Sequence, residues 1–222
     1  MAGALALYTH YFALFLLAAL AIAWLWQYAG HRRGLGRFVT AQFLIALLYA
    51  PWAIVVLRRF AVDASYWQGA LKLQEALRSV AARFIGGETL GEGQAAAWAA
   101  VILLLTFVGC IVLAWSRVER REALRYAVIW LVVPVAAALV LASTAPKFNP
   151  RYVLLALPGL LLIWAFLLDA LSARAGFGWR LATLGLAALL LTPFAWASGN
   201  WFFNPNFAKA QWREVAEFLR PR

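Results

Sequence analysis

Apolar positions in this chain fall in long unbroken blocks, not in the alternation of a half-buried strand. Six blocks, at about 3–29, 38–57, 94–115, 123–142, 152–171 and 179–198, hold almost no charge. Crossing the roughly 30 Å hydrocarbon core of a bilayer takes about 20 helical residues. Only backbone that satisfies its own hydrogen bonds is stable there. The pattern predicts an all-α polytopic membrane protein, with one transmembrane domain over residues 1–198 and six transmembrane helices. Pro134 falls inside the fourth block, where membrane helices tolerate a kink.

The loop at 58–93 has a different period. Tyr66, Ala70, Leu73, Leu77, Val80 and Phe84 recur at steps of four and three, and Gln68, Lys72, Glu75 and Arg78 fall off that stripe. This is one apolar face on a helix. Between two spans, such a helix is expected to lie in the outer membrane interface. It runs into Gly86-Gly87-Glu88-Thr89-Leu90-Gly91-Glu92-Gly93. That loop is glycine-rich and flexible, but it lacks the Lys-Ser/Thr ending and preceding strand of a phosphate-cradling loop. Residues 199–222 read as an outer tail. It opens on an aromatic turn, Asn200 to Asn206, and continues in a helical pattern with Trp212, Val215 and Leu219 on one face.

Composition agrees with the blocks. Hydrophobic residues make up 65% of the 222, against about 45–50% in soluble domains. The 12 tryptophans suit the headgroup belts of a membrane. The net charge of +11 does not point to nucleic acid, because no basic groove interleaved with aromatics accompanies it. The cations cluster at block ends instead. Arg32, Arg33 and Arg37, then Arg117, Arg120, Arg121 and Arg125, then Arg174 and Arg180 lie in three short loops. Such loops stay cytoplasmic, which puts both termini outside. Met1 to Leu7 carries no Lys or Arg, so the first block reads as a retained span and not as a signal peptide. Cys110, the single cysteine, reads as a small apolar residue. No Cys/His spacing suited to a metal is present.

Candidate chemistry concentrates in the loop from Ser143 to Arg151, within Lys147-Phe148-Asn149-Pro150-Arg151-Tyr152. A cation beside hydrocarbon is costly, about 2.5–3.5 kcal/mol at a span centre and less near its edge. Lys147 and Arg151, braced by Pro146 and Pro150, are therefore a candidate anion clamp, Arg151 as a planar fork of donors and Lys147 as a point charge. Anchoring on lipid headgroups is the other reading of the same pair. Asn149 and Tyr152 are placed to hydrogen-bond a sugar or phosphate. His10, with Tyr11 beside it, lies about 21 Å above Trp24 along a helix, at the outer edge of the hydrocarbon. It either bonds a neighbouring helix or lines an outward cavity. Glu88 is an acid in the loop that would wall such a cavity. Asp169, near Arg174 at the end of its block, reads as snorkelling to the interface or paired locally.

Four stretches occur in an order that resembles one family: Leu7-Tyr8-Thr9-His10-Tyr11-Phe12, Tyr66-Trp67-Gln68-Gly69, Pro146 to Pro158, and Trp212 to Leu219. Together the chain resembles the second half of bacterial family 39 glycosyltransferases, polytopic enzymes related to dolichyl-phosphate-mannose protein mannosyltransferases and to lipid A aminoarabinose transferases. The resemblance spans nearly the whole chain, and the Pro-Arg-Tyr stretch leading a Leu/Pro-rich span carries most of it. It implies a C-type glycosyltransferase fold in the bacterial cytoplasmic (inner) membrane. It also implies transfer of a sugar from a polyprenyl-phosphate donor to a lipid, glycan or protein acceptor on the outer side. Lys147 and Arg151 would then hold the donor phosphate. No cofactor is required by the resemblance, and a divalent metal is compatible with it. The acidic residue that serves as general base in the family's first outer loop has no counterpart here. The catalytic residue is thus expected in an N-terminal half that precedes this chain, and a soluble outer domain is expected to follow it. Taken alone, the fragment is expected to be inactive. Two other functions fit the spans: a non-catalytic membrane scaffold, or a transporter or flippase component. The second would call for midplane charge and related halves, which the sequence does not show.

Overall fold

The computed structural model describes residues 2–28, 32–62, 72–115, 118–144 and 149–207. Among these, every regular element is helical: α1 (Ala2–Thr9), α2 (Ala13–Tyr28), α3 (Arg32–Val62), α4 (Leu73–Gly86), α5 (Glu92–Ala114), α6 (Val118–Thr144), a 3₁₀ helix (Pro150–Ala156), α7 (Leu157–Ser172), α8 (Phe177–Phe203) and a short 3₁₀ turn (Pro205–Phe207). Five helical stretches are long and apolar enough to cross a membrane: Gly34–Arg58, Glu92–Ala114, Arg120–Ser143, Pro150–Ser172 and Phe177–Phe203. The chain is an all-α, polytopic, integral membrane protein.

The expected first span, 3–29, is two helices. The chain turns at His10–Phe12, where Ala13 N donates to His10 O and Leu14 N to Tyr11 O. His10 Nδ1 accepts from Phe12 N at 3.3 Å, as a capping side chain would. A side-chain acceptor thus competes with the helical ladder in the middle of an apolar block. What remains as α2 is 16 residues, about 24 Å at 1.5 Å per residue. The other five blocks each became a helix. The fifth starts as the 3₁₀ helix at Pro150 before α7 begins. The sixth runs on to Phe203, so Asn200 to Phe203 belong to α8 and not to a turn. Nothing breaks that helix before Asn204, which is extended ahead of Pro205. The tail beyond 207, including Trp212 to Leu219, lies outside the described residues.

α4 confirms a helix in the 58–93 loop but shifts its buried face. Ala76, Val80 and Phe84 are buried, with Ile85 beside them, whereas Leu73 and Leu77 are exposed. The helix packs against α5, the 3₁₀ helix and α8, and the small Ala76 admits a closer approach than a leucine would. Tyr66 and Ala70 fall outside the described residues.

The core has two centres. One joins Val80, Phe84 and Ile85 of α4 to Ile102 of α5, Val153 of the 3₁₀ helix, and Leu160 and Trp164 of α7. The other gathers Leu113, Leu124, Ala127, Ile163 and Leu167. Trp164 and Thr106 form a buried polar chain: Trp164 Nε1 donates to Thr106 Oγ1 at 2.8 Å, and Thr106 donates to Ile102 O at 2.7 Å. α6 and α7 meet at Gly159, where a Cβ would lie 2.7 Å from both Ala127 O and Leu131 N. Only glycine lets two backbones approach this closely, the device membrane helices use in place of a hydrophobic driving force.

Candidate functional site

Arg151 and Tyr152 are the second and third residues of the 3₁₀ helix. Asn149 starts that turn: its Oδ1 accepts from Arg151 N at 3.0 Å, and Pro150 follows with its φ already fixed. Trp130 of α6 donates to Leu155 O at 3.1 Å and holds the turn against the bundle. Pro150, expected as one half of a brace, is the first residue of a capped turn, and Pro146 lies outside the described residues. Asn149 spends its carbonyl oxygen on backbone.

Arg151 reaches the loop after α4. Its Nε donates to Glu88 Oε1 at 2.8 Å, and a terminal nitrogen lies 2.6 Å from the same oxygen. Arg83, from the last turn of α4, pairs with that oxygen too. Two guanidinium groups thus converge on one carboxylate. The loop that presents Glu88 is fixed on both sides. Gly87 takes φ +61°, a conformation suited to glycine, and closes α4. Thr89 is buried, donates to Ala197 O at 2.7 Å and accepts from Asn200 Nδ2 at 2.9 Å. The glycine-rich loop expected to be flexible is tied to α8 at the residue beside Glu88. Arg83 beside Glu88 holds its carboxyl below the ordinary carboxylate range, Arg151 adding to the effect and burial opposing it.

Tyr152 points the other way, toward the break between α1 and α2. Its ring stacks on Phe12 at 5.0 Å and 20°, and meets His10 edge-on at 5.0 Å. Tyr11 lies 6.4 Å from Tyr152 and stacks on His10 at 5.5 Å. Aromatic pairs at these separations add about 0.5–1.5 kcal/mol beyond burial. Consecutive residues of one turn therefore feed an ion cluster and an aromatic cluster. Of the residues singled out in the sequence, His10, Tyr11, Glu88, Asn149, Arg151 and Tyr152 gather at this end of the bundle. Lys147 lies outside the described residues. Arg83 and Phe12 complete the clusters and were not singled out. Their one sequence signal is position, Arg83 closing the amphipathic helix and Phe12 following His10-Tyr11.

Asp169 does not pair with Arg174. Its Oδ2 accepts from Arg120 at 3.0 Å, while the Arg174 guanidinium lies 4.3 Å over the Trp179 ring. Antiparallel packing of α6 on α7 brings Arg120 to the end of α7, and Arg174 lies beyond that end. Among the described residues, no group of three or more His, Cys, Asp or Glu side chains gathers to hold a metal ion.

The ion cluster is only partly shielded: side-chain exposures are 30% for Arg83, 37% for Glu88 and 61% for Arg151. Exposed pairs contribute about 0.2–1 kcal/mol each, so stability alone is a weak reason for three charges to converge. Chemically, the two guanidinium groups can bind an anion, and the Glu88 carboxylate is their present partner. No family model matches the chain, and neither curated proteins nor solved structures show a match.

Proposed function

We propose that the chain is the donor-binding part of a membrane glycosyltransferase, one that transfers a sugar from a polyprenyl phosphate to a lipid, glycan or protein acceptor on the outer side of the bacterial inner membrane. The observation that carries this reading is the convergence of Arg83 and Arg151 on Glu88 Oε1, on a turn whose next residue, Tyr152, joins the rings of His10 and Phe12. The sequence resemblance built on the Pro-Arg-Tyr stretch adds to it.

Arg83 and Arg151 hold the donor phosphate in place of, or together with, Glu88. When the sugar leaves, charge builds on the phosphate oxygens, and preorganised donors aimed at them stabilise that charge. The aromatic group positions the first isoprene units or the sugar.

The test is binding of a polyprenyl phosphate to the full chain in nanodiscs. Loss of a charge-assisted contact costs about 1.5–3 kcal/mol, so Arg151→Ala raises Kd roughly 10- to 100-fold. Unchanged affinity in that variant removes Arg151 from the site. Failure of the native chain to bind any polyprenyl phosphate supports a scaffold or a transporter instead. Transfer of labelled sugar by the same preparation separates catalysis from binding.

A further inference from the structure

The opposite end of the bundle holds a recess of about 530 Å³ between the ends of α5 and α7. α7 alone separates the two ends by 16 residues, about 24 Å. Arg120 and Arg174 line the recess with Trp115, over apolar walls from Ile111, Val112 and Ala170. From this geometry we infer that the recess is a binding site for an anionic glycerophospholipid of the leaflet at that end.

Four features select that ligand. Both cations are oriented by neighbours: Asp169 engages one terminal nitrogen of Arg120, and Trp179 lies under Arg174. A guanidinium has five N–H donors, so Asp169 leaves Arg120 able to grip a phosphate, and the Trp179 face leaves the donor edge of Arg174 in plane. The recess lining carries two cations, and the one carboxylate paired with them, Asp169, is not part of that lining, so a headgroup of net negative charge is favoured over a zwitterion. Trp115 is 88% exposed at the end of a spanning helix, the depth at which indoles meet headgroups. The Ile111–Val112 wall belongs to α5 and faces hydrocarbon, so it accepts the start of an acyl chain. A soluble phosphate would have no use for that wall.

Native mass spectrometry of the purified chain tests this with phosphatidylglycerol and phosphatidylcholine of matched acyl chains. The native chain retains phosphatidylglycerol at least about fivefold over phosphatidylcholine, as expected for a charge-assisted contact. Arg174→Gln leaves the Arg120–Asp169 pair intact and lowers the preference at least about threefold, and R120Q combined with R174Q abolishes it. Arg37→Gln, an exposed cation of α3 outside the recess, leaves it unchanged. Equal retention of the two lipids by the native chain, or full preference surviving in Arg174→Gln, overturns the inference. Displacement of the lipid by millimolar inorganic phosphate overturns the lipid reading and leaves a plain anion site. None of these outcomes depends on polyprenyl phosphate binding at the other end.

Discussion

Glu88 sets the behaviour of the candidate site at the scale of single residues. Its carboxyl titrates below its ordinary value near 4.5 because Arg83 and Arg151 favour the charged form. A depressed folded pKa contributes stability above the unfolded value and loses it as pH falls through the folded one. Melting in detergent between pH 7 and pH 3.5 therefore shows a small acid-side loss below about pH 4.5, at most about 1 kcal/mol for a part-exposed cluster. Glu88→Gln lowers stability at neutral pH and removes that acid-side component. An identical pH profile in both proteins contradicts the pairing. Thr106 is a buried counterpart. Thr106→Val leaves the Trp164 N–H without its acceptor in the core, which costs about 1–3 kcal/mol and is read from chemical unfolding. Glu88 and Arg151 were each legible as chemistry-bearing residues. Their pairing was not, because 63 residues separate them and only the packing of α4 on the 3₁₀ helix brings them together. Arg83 carried no motif and looked like any cation closing an amphipathic helix.

At the scale of elements, apolar block length found the long helices, and side-chain hydrogen bonding decided where they begin and break. One block breaks at His10, whose Nδ1 accepts from Phe12 N just ahead of α2, which hydropathy cannot register. In α4 the period was legible, but the buried face depended on which neighbour the helix met. The prediction at this scale concerns two glycines with nearly equal clashes. At Gly159 an added Cβ meets backbone of α6, and at Gly109 it meets the tip of the Leu167 side chain, both at 2.7 Å. Backbone cannot move aside without separating two helices, whereas a leucine end can change rotamer. Gly159→Ala therefore destabilises by about 1–3 kcal/mol, as overpacking does, and Gly109→Ala by clearly less. Equal losses in unfolding midpoint would contradict the close approach of α6 and α7.

At the scale of the whole molecule, the five long apolar helices place the chain in a membrane. Alkaline carbonate washing leaves it in the membrane fraction, and release into the supernatant contradicts that placement. The two ends of the bundle differ in what they present. One pairs an arginine cluster with aromatic rings around Tyr152; the other offers a recess between α5 and α7 lined by Arg120 and Arg174. The first end was partly legible, since Arg151, Tyr152, His10 and Glu88 could each be named from the sequence. The recess was not, because it exists only where antiparallel α6 and α7 bring residues 49 apart into contact. The most direct test of the account is photo-crosslinking of the full chain in nanodiscs with a polyprenyl phosphate that carries a photoreactive group next to the phosphate, followed by peptide mapping. The account predicts labelling of the peptides bearing Arg83–Glu88 and Arg151–Tyr152, reduced at least about tenfold in a variant combining Arg83→Ala and Arg151→Ala. Labelling confined to the α5–α7 recess, or undiminished in that variant, would contradict it.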